Sequence, residues 1–395
     1  MRKSMPRICV LLCTCLLSIS VFSQTSWKGT VSTLWSNPLN WTNGVPDITK
    51  DAILGDANFT GINQPKINVA SVCKNIIVGG TVATNLSMTR NLSVNGNFTI
   101  QPNATITHPS SSITLYGNWI NHGTYTTTAT GARVIFAGTT QSIGGSVLTT
   151  FRRVTIAASS VTSLASNVSI DGASCLFDVT GTVDPGMSPT YTLTNTGATK
   201  FNSGSTLKIN AATFTGNYIL TGTTTFYGGS VTDYSSTVTN QTISSAYSYS
   251  TLKISGTGTK SLAANLPLLY GKNATSGNIL VTSGTFDIGT YTCNRATNVV
   301  GGEINVSNGA LLKTSGLSNF PINFATKTFG VSSTVEYYGA VQNISAQTYG
   351  NLLISAAGVK TAATAFSVAG NLTMTDGTLN TNATVVTHSI AGNFI

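Results

Sequence analysis

Apolar and polar residues alternate along this chain in short runs, as in Leu252-Lys253-Ile254, Leu372-Thr373-Met374 and Ile279-Leu280-Val281-Thr282. Gly, Asn or Asp-Gly separates one run from the next. Period-two runs bounded by turn formers predict short β-strands with one buried face. No stretch after residue 23 carries helical periodicity, and Glu303 and Glu336 are the only glutamates. The pattern predicts an all-β chain.

The runs repeat on two scales. The phrase Gly-Asn-apolar recurs as S-V-N-G-N-F-T-I (93 to 100), T-L-Y-G-N-W-I (114 to 120), S-V-A-G-N-L-T-M (367 to 374) and S-I-A-G-N-F-I (389 to 395). With K-N-I and G-N-L added, its asparagines are Asn75, Asn97 and Asn118, then Asn351, Asn371 and Asn393, spaced by 20 to 22 residues. A longer phrase aligns without gaps at 154 to 165, 252 to 263 and 352 to 363, offsets of 98 and 100. Each copy follows an aromatic phrase, V-I-F-A-G at 134, T-T-F-Y-G at 224 and V-E-Y-Y-G at 335.

Short strands on a period near 21 predict a parallel β-solenoid, in which each period is one coil pairing with the next. Glycine would supply a left-handed corner, and the asparagines would stack as an amide ladder. About 17 coils at about 4.8 Å each would make a rod of about 80 Å. Tandem immunoglobulin-like sandwiches of about 100 residues are the alternative; they account for the long repeat but not the short one. Between Ala173 and Ser250 the short period blurs, which predicts a bulge, an inserted loop or a different coil length there. The last phrase opens a coil whose successor is missing, so the solenoid of 73–395 is expected to be truncated at its C-terminus.

Residues 24–72 are expected to cap the other end. Trp27, Trp35 and Trp41 cluster there, and large rings suit a lid over an apolar rod end; a sugar-stacking platform is the other reading. Residues 1–23, with Arg2, Lys3 and Arg7 before the apolar run Ile8 to Phe22, have the layout of a signal peptide. Lipidation at Cys13 or Cys15 fits the preceding Leu12 and Thr14 poorly. The run is shorter than the roughly 20 residues a membrane-spanning helix needs, so no transmembrane segment is expected.

Composition narrows the function. Charged residues make up only 8% of the 395, and Thr, Ser, Asn and Gly fill the polar positions. Without the leader the net charge is about +6, and beyond Arg152-Arg153 the basic residues are scattered singly, which argues against nucleic acid. Cys73, Cys175 and Cys293 are odd in number and about a hundred residues apart, which suits buried apolar side chains better than a disulfide framework.

No catalytic, cofactor-binding or metal-binding residue is predicted. The acidic residues do not cluster as glycan cleavage requires; Asp178 and Asp376 are equivalent in the long repeat but 198 residues apart. Asp47, Asp51 and Asp56 form one local group without a calcium-loop pattern. His108, His122 and His388 sit in different registers and read as surface or turn residues. G-T-G-T-K-S (256 to 261) is a repeat turn, since its equivalents read A-S-S-V-T-S and A-A-G-V-K-T. The aromatics Phe226-Tyr227, Tyr337-Tyr338 and A-Y-S-Y-S (246 to 250) are expected in the core, with sugar stacking as the other reading. The Thr runs 124 to 128 and 221 to 225 lack the long regular ladder of an ice-binding face.

The tryptophan segment and the phrases V-x-G-N-L-T-hydrophobic and I-S-G-T-G-T-K-S-L resemble secreted bacterial β-solenoid surface proteins, of the kind found in Bacteroidota adhesins and autotransporter passenger regions. The resemblance implies a non-enzymatic adhesin or structural protein, secreted or at the bacterial cell surface. It implies surface glycans or host and cell-surface molecules as partners. A glycan-binding or glycan-cleaving β-helix is the alternative function.

Overall fold

The structure is a computed structural model and describes residues 23–127, 129–187, 190–270, 277–297, 301–381 and 387–395. The leader, apart from residue 23, lies outside the described residues, as does Thr128 of the first Thr run. The chain is a parallel β-solenoid of about 15 turns. Among the described residues every pairing between strands is parallel, the Trp27–Trp41 bridge alone being antiparallel, and the longest sheet runs through 14 strands from Gln24–Ser26 to Thr326–Phe329.

Each coil of the middle region has three faces. Thr206–Ile209 lies in the 14-stranded sheet, Tyr218–Leu220 in a four-stranded sheet and Thr224–Phe226 in an eight-stranded sheet. Alternate residues point inward, and the inward columns form one continuous apolar core. Within it rings stack coil on coil, as Phe98 on Trp119 and Phe201 on Phe226, both at 4.8 Å between centroids. Trp27, Trp35 and Trp41 are buried and pack edge to face, 5.1 and 4.7 Å apart. Gln24–Ser26 pairs with Asp51–Leu54, so coil stacking already operates within residues 24–72.

Coil length varies more than the asparagine spacing suggests. It is 27 residues from Gln24 to Asp51, 20 from Val231 to Thr251 and 17 from Thr334 to Asn351. Longer corners explain why there are fewer coils than the 17 expected. They also explain the blurred stretch: coils of 24 and 25 residues start at Thr182 and Thr206, and a one-turn helix, Phe214–Asn217, fills one corner.

The asparagine columns exist, with a different bond. The Asn75 Oδ1 accepts from the backbone N–H of Asn97 at 2.7 Å, and Asn97 Oδ1 accepts from Asn118 N–H at 2.8 Å. Asn351, Asn371 and Asn393 repeat the arrangement at 2.9 Å. The link therefore joins side chain to backbone rather than amide to amide. The preceding glycines serve close approach rather than a left-handed corner. A Cβ on Gly96 would lie 2.1 Å from Asn75 Oδ1, and one on Gly117 2.3 Å from the Gly96 carbonyl carbon, while neither has a positive φ.

The long repeat does not keep to one face. Its equivalent strands Arg153–Ile156, Thr251–Ile254 and Asn351–Ile354 belong to the eight-, fourteen- and seven-stranded sheets. From Val231–Tyr234 the 14-stranded sheet advances four coils to Thr326–Phe329, and the next strand, Thr334–Tyr337, lies on the following face. One unit therefore spans about four and a third coils. The strand pairing also corrects the aromatic phrase of the middle unit. Arg133–Phe136 and Thr334–Tyr337 correspond to Val231–Tyr234, not to the phrase at 224.

Candidate functional site

Each unit carries a polar plug inside its core. Gln141, Gln241 and Gln342 are buried one coil before Thr162, Lys260 and Lys360. Each glutamine accepts a backbone N–H at its Oε1, from Gly138 at 2.6 Å, Ser236 at 3.0 Å and Gly339 at 2.6 Å. Each also donates Nε2 to two carbonyls of the preceding coil, as to Leu115 and Gly117 at 2.8 and 2.5 Å. The buried ammonium groups donate to turn carbonyls, Lys260 to Ser236 and Thr257, and Lys360 to Ala356 at 2.6 Å. Burial lowers the pKa of both lysines. The G-T-G-T-K-S turn thus points its lysine into the core, away from any phosphate.

The carboxylates also bridge coils. Asp184, Lys208, Asp233 and Lys253 occupy successive rungs, with ion pairs at 2.8 and 2.9 Å. Lys313 pairs with Glu336 at 3.1 Å and sits over the Tyr338 ring, whose hydroxyl donates to Asp287. Asp178 accepts from Asn202. Asp376 accepts from Gly377 N–H. The loop group is dispersed: Asp47 holds Thr49 and Lys50, which bring its carboxyl to about 2; Asp51 accepts from Asn75; and Asp56 accepts from Ser26. Among the described residues no three His, Cys, Asp or Glu side chains converge as a metal site.

His108 departs from the surface reading. It is fully buried between the Tyr125 hydroxyl at 2.7 Å and the Ser111 carbonyl at 2.9 Å, and burial brings it to about 4. His122 contacts Ser146, and His388 packs on Phe366. Cys73, Cys175 and Cys293 are buried free thiols, and burial raises the first and last. The aromatic phrases are largely core: Phe226, Tyr249 and Tyr337 are buried. Two tyrosine pairs, Tyr234 with Tyr249 and Tyr337 with Tyr349, join hydroxyls at 3.1 and 2.9 Å. Each pair holds both the N–H and the carbonyl of one serine, Ser244 or Ser345.

Among the described residues the surface holds several clefts, and three of them, of about 570, 310 and 480 Å³, recur with the repeat, whereas one beside Phe366 and Phe394 and one beside Thr84 and Asn103 do not. These three share one place in the repeat. Residues 145–148, 246–248 and 346–348 line them, and each segment joins a Gln strand to the aromatic residue that follows, Phe151, Tyr249 or Tyr349. At the same point in each unit a sheet breaks. The first four-stranded face ends at Thr124–Thr126 and the second begins at Thr149–Phe151. The eight-stranded sheet ends at Thr224–Phe226 and the fourteen-stranded one at Thr326–Phe329. Against the known proteins, the chain matches no family model, no curated protein and no solved structure.

The alternation of residues gave no pointer to the clefts, because corner segments carry no period. One signal was present: Gln141, Gln241 and Gln342 stand in phase with the inward Ile143, Ile243 and Ile344. A polar residue in the apolar phase, repeated per unit, marks the corner that follows.

Proposed function

We propose that this chain is the shaft of a secreted, non-enzymatic adhesin or structural protein of the bacterial cell surface. One observation carries the reading: a long parallel solenoid in which only 8% of the residues are charged and Asp184, Asp233 and Glu336 pair with lysines of neighbouring coils, so that hydroxyls and amides make up most of the polar outer surface. Such a surface suits broad contact with glycans or other cell-surface molecules. The resemblance to Bacteroidota adhesins and autotransporter passengers points the same way. The dispersal of Asp47, Asp51 and Asp56, and the coil-bridging contacts of Asp178, Asp184 and Asp233, favour binding over glycan cleavage. Among the described residues no helix is long and apolar enough to cross a membrane.

Small-angle scattering should give an elongated particle, and beads coated with the protein should attach to bacterial, host-cell or polysaccharide-covered surfaces. Beads that attach to none of these, or a preparation that releases reducing ends from polysaccharide, would count against the reading.

A further inference from the structure

We propose that the three corner clefts are equivalent subsites for uncharged, hydroxyl-rich carbohydrate, one in each repeat unit and each on a different face. This deepens the adhesive reading and rests on it for the biological setting. The first observation is recurrence. An accidental dent has no reason to reappear four to seven residues beyond Gln141, Gln241 and Gln342 alike.

The second is the chemistry of the walls. In the first cleft Ser169 and Thr194 stand on neighbouring rungs, about 4.8 Å apart, and their hydroxyls have no partner within the described chain. Thr225 in the second cleft and Thr348 in the third are likewise outward and unpartnered. Beside the hydroxyls of the first two clefts lie apolar faces, while the third cleft is more polar. Leu148, 56% exposed, and Tyr191 flank the first, and Tyr247 lines the second. Hydroxyl donors next to apolar faces match the two sides of a sugar ring, one polar and one C–H. Lys327 is the single charged side chain among the three linings, so a charged ligand would find almost no counter-ion.

The third observation separates sugar from peptide. A peptide that extends a sheet needs a free strand edge. In the first cleft Val168–Ile170 is bonded on both sides, to Thr149–Phe151 and Leu193–Asn195. At these strands of the first cleft a ligand is therefore held by side chains rather than by strand addition. The volumes lie within the range of small-ligand sites.

The test is calorimetric titration of the full chain with the hexaoses of glucose, xylose and mannose. Three equivalents per chain are expected for whichever sugar binds. Ser169→Arg should lower the count to two. Combined with Thr225→Arg and Thr348→Arg it should leave less than about a tenth of the binding. These side chains point outward and have no partners, so circular dichroism and the urea midpoint should not move. Binding by none of the hexaoses, binding that survives the triple variant, or capture of extended peptides alone would overturn the assignment. Coated beads distinguish the two readings. If triple-variant beads still attach while no hexaose binds, the clefts fall and the adhesive reading stands. If hexaose binding maps to the clefts but beads attach nowhere, the adhesive reading falls and the clefts stand.

Discussion

Replacing Gln141 by leucine keeps the volume of the core nearly constant and removes only the polar plug. Two backbone groups lose their partners outright: the Gly138 N–H, which donates to Oε1 at 2.6 Å, and the Gly117 carbonyl, which accepts from Nε2 at 2.5 Å. The Leu115 carbonyl is spared, since it also accepts from Ala137 N–H at 2.8 Å. An unsatisfied buried group costs about 1–3 kcal/mol. Two of them, partly offset by the better burial of leucine, give a loss of about 3 kcal/mol. Because a solenoid can open locally, urea unfolding should be paired with hydrogen exchange at the strands Arg133–Phe136 and Thr140–Gly144. Exchange there should accelerate about a hundredfold, matching that free energy. Gln241→Leu and Gln342→Leu orphan equivalent groups about a hundred residues away, so their losses should add. A loss below about 1 kcal/mol at Gln141 would refute the claim that the glutamine ties its coil to the one beneath.

Gly96→Ala should destabilise by about 2 kcal/mol or more, because its Cβ would meet Asn75 Oδ1 at 2.1 Å; combined with Asn75→Gly the two losses should fall short of their sum in urea unfolding. His108 has its pKa depressed by burial to about 4, so the folded state stays neutral while the unfolded state gains a proton below the ordinary value near 6.5. Stability should therefore be flat above pH 6.5 and fall by about 3 kcal/mol towards pH 4, and His108→Gln should flatten that slope in acid titration. Tyr337→Phe removes the hydroxyl that accepts from Ser345 N–H at 3.0 Å and joins Tyr349, and should cost about 1–2 kcal/mol by thermal unfolding; Phe136 and Phe151 fill the same places in the first unit without hydroxyls.

The period-two alternation and the Gly-Asn spacing were enough to read the parallel solenoid, because inward and outward residues must follow the pleat. The nature of the asparagine bond was not legible. An asparagine in a column is compatible with side-chain and backbone partners alike, and only the offset between coils decides. Gly96 and Gly117 look like corner residues in the sequence for the same reason: a sequence does not distinguish a glycine needed for its φ from one needed for its missing Cβ. His108 and Lys260 were hidden because a buried polar residue is recognised by its partners, and two of theirs, Tyr125 and Ser236, lie on other coils. The clefts themselves were not legible, although Gln141, Gln241 and Gln342 in the apolar phase mark the corners that hold them. They arise where the Gln strand turns a corner, and corner segments vary freely in sequence so long as the strands beyond them regain their phase.

The mismatch of about a third of a coil in each unit makes the repeat wind around the shaft like the thread of a screw. A feature carried once per unit is therefore dealt out to successive sides, and after three units the pattern returns to its starting azimuth. Had the unit closed on a whole number of coils, every copy would line up along one stripe of the solenoid. With the thread, the shaft can roll about its long axis and still present a copy of the feature to whatever lies beside it.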